Sequence, residues 1–275
     1  MPELDKMPFY KLEDFREFSR KTKPTLDESS AAILDNYQPS LTAREQQMML
    51  YTMLTATQAL SAYNISYFVS EGTLIGYWRH HGMIPWDDDV DMYIDSEKWP
   101  LARQVLSCLP DIQMNMGSDY MWKLFHKDAD LWQGEDFIKF PFIDVFLYRK
   151  DSVHVWPLTI WLKTVLITPV DLVFPPTKGI FEGFPVDIPR KPTEILRLEY
   201  GGSVMYDCYS RTFKRRERFL VPLPERTHLP CSVLENFYPF VSRKKVDKLT
   251  NTVLEERKIG NKVLSSYNTS FRGSD

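Results

Sequence analysis

Two periodicities alternate along the first half of the chain, and their changeover points mark out its elements. Apolar residues at Met49, Leu50, Met53, Leu54 and Leu60 recur at steps that place them on one helix face. Just upstream, Thr42-Ala-Arg-Glu45 fits a capping box, in which hydroxyl and carboxylate satisfy backbone N–H groups of the first turn. Asn64 ends this helix, and the β-rich residues 65–69 predict a strand directly after it. Ser70-Glu-Gly-Thr73 turns into a second helix over 74–81, followed by a loop over 82–86. Asp89-Val-Asp-Met-Tyr-Ile94 alternates polar and apolar, the two-residue period of a strand. A helix over about 99–109 and strands over 120–126 and 138–148 follow.

Beyond Asp151 the chain becomes Pro-rich and helix-prone, with a short helix over 192–200 that Gly201 can end and a last helix from about 244 to 263. The fold class expected is α+β, a mixed sheet flanked by helices with a helical C-terminal half. Residues 1–40, with Pro8, Pro24 and Pro39, read as an extended lead-in. Residues 41–205 form the central unit and 206–275 a helical extension.

Composition narrows the function. Of 275 residues, 43% are hydrophobic and 26% charged, which suits a globular chain and excludes a disordered one. With 34 basic and 37 acidic residues, the formal charge of −3 argues against a dedicated nucleic-acid binder. The most apolar stretch, 153–174, carries His154, Lys163 and Asp171 with Pro157 and Pro169, so no transmembrane segment is expected. The opening Met-Pro-Glu-Leu-Asp-Lys lacks the basic and apolar regions of a signal peptide. Three cysteines are too few for a disulfide scaffold; a Cys208–Cys231 bridge is the alternative to the expected buried free thiols.

The candidate chemistry lies in residues 71–91. On a strand, Asp89 and Asp91 project from one face, about 7 Å apart at the backbone. Two such carboxylates repel unless a cation sits between them, and hard divalent ions such as Mg²⁺ or Mn²⁺ prefer oxygen ligands. Asp144, alone in the apolar strand Phe140-Pro-Phe-Ile-Asp-Val-Phe-Leu, is the candidate third acid, because a buried charge needs a partner. Gly72 lets backbone approach a phosphate, Thr73 adds a hydroxyl, and the following helix offers its N-terminus. Arg79 and Lys123 are the candidate phosphate cations. Trp86, in the loop entering the acidic strand, is a candidate stacking residue. Tyr77 and Trp78 read as core. His80 and His81 cannot easily chelate one ion from adjacent helix positions. The basic run 211–218 reads as a solvated helix face.

The order Gly72-Thr73, helix, Asp-x-Asp on the next strand, then a strand Asp resembles nucleotidyltransferase-fold active sites. The long motif Gly72-Thr-Leu-Ile-Gly-Tyr-Trp-Arg-His-His-Gly-Met-Ile-Pro-Trp-Asp-Asp-Asp-Val-Asp91 resembles the signature of the LicD family, which includes fukutin and fukutin-related protein. The resemblance extends through Lys123 and Ile143-Asp144-Val145-Phe146 to about residue 205. It implies a nucleotidyltransferase-like fold that moves a phosphorylated alcohol, of the phosphocholine or ribitol phosphate type, from a CDP-activated donor to a glycan hydroxyl. By position, Asp89, Asp91 and Asp144 would be catalytic and bind Mg²⁺ or Mn²⁺; Asp87 matches a family aspartate, and Asp88 ranks lower. Family members of animals work in the secretory pathway. Nucleotidyl transfer and a non-catalytic glycan- or nucleotide-binding role are the alternatives.

Overall fold

The computed structural model describes residues 9–117, 120–163, 166–247 and 252–270. Within residues 9–40 the expected extended lead-in is largely helical instead. Helix α1 (Leu12–Thr22) and helix α2 (Glu28–Ile33) are separated by a 3₁₀ turn at Lys23–Thr25. The prolines punctuate these helices without forbidding them, Pro24 falling within the first positions of the 3₁₀ turn. Asp27 caps α2, accepting from Ser30 N at 2.9 Å. What the polar composition conceals is that Phe15, Leu34 and Tyr37 are all buried.

Helix α3 (Ala43–Ala62) starts on the expected capping box, with Thr42 N donating to Glu45 Oε2 at 2.7 Å and Glu45 N to Thr42 Oγ1 at 3.3 Å. Strand β1 (Tyr67–Val69), helix α4 (Glu71–His80), strand β2 (Val90–Asp95) and helix α5 (Trp99–Ser107) follow in the expected order. Next come β3 (Ile112–Met116), β4 (Met121–Leu131), β5 (Lys139–Lys150) and β6 (His154–Pro157). The sheet runs β1-β2-β5-β4-β3, with β2 and β5 parallel and the other pairs antiparallel. Its apolar core joins α3 and α5 to the strands through residues such as Met53, Leu106, Leu124 and Val145.

After β6, two short helices, α6 (Ile160–Lys163) and α7 (Val170–Val173), flank a short strand, β7 (Thr168–Pro169), that pairs with β6. A hairpin of β8 (Thr177–Phe181) and β9 (Phe184–Ile188) leads to α8 (Pro192–Tyr200), which ends at Gly201 with φ +79°. Among the described residues, no helix is long and apolar enough to cross a membrane.

The C-terminal half is not helical. It holds β10 (Asp207–Tyr209), β11 (Phe213–Lys214), β12 (Phe219–Leu220), β13 (His228–Pro230), β14 (Phe240–Asp247), β15 (Thr252–Ile259) and β16 (Lys262–Ser270). The last three form an antiparallel meander where a helix over 244–263 was expected; residues 248–251 of that expectation lie outside the described residues. The reason is legible on β15, where Val253, Glu255 and Arg257 alternate into the interior. Two of these three inward positions are charged, so the two-residue period does not register as hydrophobic alternation.

A second core draws the ends of the chain together. Phe15 and Tyr37 from the N-terminal segment pack with Trp86, Cys208, Leu234 and Tyr238. Cys208 and Cys231 form a disulfide, which corrects the free-thiol expectation, and Cys108 is a free, exposed thiol. The pairing of β10 with β13 sets the two halves of that bridge side by side.

Candidate active site

Strand register builds the acidic centre. β2 and β5 run parallel with Asp91 opposite Asp144, and β4 and β5 run antiparallel with Lys123 opposite Asp144. Asp89 precedes β2 by one residue. Carboxylate oxygens of Asp89, Asp91 and Asp144 lie within 4.8 Å of one another, and all three residues are buried. Burial pushes Asp89 well above the usual carboxylate range, opposed by Arg215 and reinforced by Asp91. Burial does the same to Asp91, with the charges of Glu71 and Asp144 adding to it and Arg215 opposing. The two groups that sequence spacing placed on one face are thus joined by the third.

The turn into α4 locks this centre in place. Ser70 is the N-cap, and Glu71 adopts φ +50°. Asp91 N donates to Thr73 Oγ1 at 2.7 Å, so the Thr73 hydroxyl acts on the acidic strand. Tyr93 donates its hydroxyl proton to Glu71 Oε1 at 2.9 Å, tying the turn to β2 again. A Cβ on Gly72 would lie 3.2 Å from Asp87 Oδ2, a tight contact that this carboxylate would relieve by moving a few tenths of an ångström. Above these groups opens a cleft of about 280 Å³, lined by Glu71, Gly72, Asp87, Asp89, Asp91 and Arg215 among others.

With this geometry in view, comparison with known proteins is informative. Residues 64–191 match the family described as LicD/FKTN/FKRP, nucleotidyltransferase domain. This stretch is a LicD-family domain. Its limits enclose β1, α4, β2, β4 and β5, and with them all three acids, Asp91 on β2, Asp89 just before it and Asp144 on β5. The chain is 48% identical over 60 residues to "Lipopolysaccharide cholinephosphotransferase LicD" of Haemophilus influenzae, covering 22% of this chain and 23% of that protein. It is 38% identical over 109 residues to an uncharacterised protein of Rickettsia prowazekii, covering 39% of this chain and 36% of the relative. A similar protein of Rickettsia typhi is 37% identical over 117 residues, covering 41% and 34%. The chain therefore spans less than two fifths of the length of these relatives.

Other expected site residues take different places around the LicD domain. Lys123 Nζ lies 2.5 Å from Asp144 Oδ1 and 3.8 Å from the Phe142 ring centroid. Arg79 borders the cleft, but its Nη2 donates to Val204 O at 2.7 Å and Asp207 O at 3.1 Å, and burial lowers its pKa to about 10. Its guanidinium therefore serves chain packing rather than standing free as a phosphate cation. Trp86 is 2% exposed and packs edge-on against Tyr37, with Nε1 donating to Tyr209 O at 2.9 Å. It belongs to the second core more than to the cleft. Its indole has a backbone partner to find and apolar neighbours to fill, and both come from distant segments. His80 and His81 hold separate partners, Pro239 O at 2.6 Å and Glu255 Oε2 at 2.9 Å.

Sequence reading missed the basic run 211–218, which is no helix face. β11 and β12 form a small ribbon that delivers it to the acids. Arg215 Nη2 pairs with Asp89 Oδ2, and its Nε lies 3.8 Å from Asp144 Oδ2. Burial works against the Arg215 charge, but Asp89, Asp91 and Asp144 more than compensate and keep it firmly protonated. Arg211 Nη1 lies 2.9 Å from Asp88 Oδ2, and Arg215 N donates to the same oxygen at 3.1 Å. Asp88, the middle acid of Asp87-Asp-Asp, therefore anchors the basic loop. Clustered arginines were the available signal; which of them turned inward was not.

Proposed function

We propose that this chain is a metal-dependent transferase that moves a phosphorylated alcohol, of the phosphocholine or ribitol phosphate type, from a CDP-activated donor to a glycan hydroxyl. The observation that carries the reading is the trio Asp89, Asp91 and Asp144, three buried carboxylates within 4.8 Å inside a LicD-family domain. The similarity to the lipopolysaccharide cholinephosphotransferase supports the phosphocholine type and a glycan acceptor.

The donor set fits a hard divalent cation such as Mg²⁺ or Mn²⁺: all-oxygen, anionic and drawn together at a mutual cost that a cation relieves. Asp89, Asp91 and Asp144 would hold it. When bound, such an ion offsets the charge that builds on the phosphate oxygens and the departing CMP. Asp144 is also the proposed orienting or proton-accepting group for the acceptor hydroxyl. Lys123, bonded to Asp144, fixes its orientation. Gly72 leaves room for a phosphate beside the first turn of α4, whose N-terminal dipole favours an anion. Asp87 shapes that same wall of the cleft.

The test is a transfer assay with CDP-choline, CDP-ribitol and CDP-glycerol, each with Mn²⁺ or with chelator, using a lipopolysaccharide-type glycan as acceptor. Release of CMP with the alcohol phosphate on the glycan is expected from one donor. Asp91→Asn is expected to lower turnover by about a hundredfold or more, since the charge it offsets develops in the transition state. Near wild-type turnover in that variant would remove Asp91 from the mechanism. Nucleotide found on the glycan would replace the reading by nucleotidyl transfer.

A further inference from the structure

We propose that Arg215 is a built-in counter-ion standing where the divalent cation would bind, so that loading the site exchanges a guanidinium for a metal. The inference rests on the metal-dependent reading above. Among the described residues, Lys123 and Arg215 are the cations within salt-bridge distance of the three carboxylates. They are held differently. Lys123 belongs to a central strand, and its Nζ is packed on the Phe142 ring. Arg215 approaches from a loop and keeps 21% of its side chain exposed at the edge of the cleft.

Its backbone, in contrast, is pinned on both sides. The Arg215 N–H donates to Asp88 Oδ2 at 3.1 Å, and its carbonyl accepts from Trp132 Nε1 at 2.6 Å. Arg211 on Asp88, and Arg216 on Glu45 Oε2 at 2.7 Å, hold the flanks of the loop. The loop therefore stays docked whether or not the Arg215 guanidinium stays on Asp89. A metal ion held by Asp89, Asp91 and Asp144 would stand beside the Arg215 guanidinium on Asp89 Oδ2, and two cations crowded at one buried carboxylate repel each other, so the two compete. Without metal, Arg215 neutralises acids that would otherwise repel one another in a buried site. With metal, the side chain swings into the cleft beside Gly72 and Arg211. Its planar fork suits phosphate oxygens there, and it contributes a cation to the diphosphate of the donor.

The deciding experiment is calorimetric titration of the full chain with Mn²⁺ alone, for wild type, Arg215→Met and Arg215→Lys, with melting temperatures recorded with and without the ion. Arg215→Met is expected to bind Mn²⁺ about tenfold or more tighter than wild type. Its melting temperature should fall without metal and recover at saturating Mn²⁺. Arg215→Lys keeps the pocket neutralised, so it folds even where the methionine variant does not, and its shorter single-point cation should yield to Mn²⁺ several-fold more readily. Equal Mn²⁺ affinity in wild type and in the folded variants overturns the exchange while leaving the metal-dependent reading intact. Failure of wild type and variants alike to bind Mn²⁺ overturns both.

Discussion

Glu199 shows how far the surroundings of a single residue set its chemistry. It sits on α8, its buried Oε2 has no hydrogen-bond partner among the described residues, and burial raises its pKa to about 8, with the charge of Glu71 adding to the shift. The unfolded chain releases this proton near pH 4.5, whereas the folded protein retains it to about pH 8. Its contribution to stability is therefore complete below pH 4.5 and falls as pH rises through that window. Glu199→Gln should melt with wild type at pH 4 and above it at pH 8; a difference that does not change with pH would contradict this. At this scale the three aspartates were legible as candidates, because Asp-x-Asp repeats on one strand face and an Asp within an apolar strand is costly enough to need a reason. The partner of Thr73 was not. A hydroxyl serves a phosphate or a backbone N–H equally well, and its location beside Asp91 decided for the strand.

At the scale of elements, the loop from Gly82 to Asp88 is seated by glycine and by a disulfide-bearing neighbour. A Cβ on Gly76 would run into the carbonyl oxygen of Gly82, and backbone cannot turn aside as a side chain can. Gly76→Ala is thus expected to lower the melting temperature and to weaken Mn²⁺ binding at the acids this loop feeds. Stability loss with unchanged metal affinity would show that α4 and the loop are not coupled in this way. The Cys208–Cys231 bridge closes a separation of 23 residues that contains the whole loop bearing Arg211 and Arg215. Loop-closure entropy puts the cost of losing it at about 3 kcal/mol. Cys231→Ser should show that loss in denaturant unfolding, and a midpoint equal to wild type would mean that the surrounding packing alone holds the segment. Helices α3, α4, α5 and α8 were legible from spacing and capping. The strands after residue 206 were not, because they are short, or carry charge on their inward face, and so lack the hydrophobic alternation by which strands are read.

Across the whole molecule, ion pairs connect the C-terminal meander to the end of α4 and to the turn between β8 and β9. Glu255 of β15 receives His81 Nε2 at 2.9 Å and Arg243 Nε at 2.8 Å, and Arg257 Nη1 meets Glu182 Oε2 at 2.9 Å. Burial would raise Glu255, but the His81 hydrogen bond and the Arg243 charge overcome it and hold its pKa at about 2. This stabilisation is present above pH 4.5 and lost as pH falls toward 2. Glu255→Gln should be less stable than wild type at neutral pH and should lack that part of the acid transition; an acid limb identical to wild type would refute the coupling. By itself the sequence determined the local elements of residues 42–110, the central strands and the choice of Asp89, Asp91 and Asp144 as candidates, because periodicity, capping and residue type act over short distances. Only the tertiary structure decided that Asp91 and Asp144 face each other, that Trp86 is core, and that Arg215 lies on Asp89. Each of these depends on strand register or on packing between segments far apart in the chain, where many pairings satisfy the same local pattern and only the fold selects one.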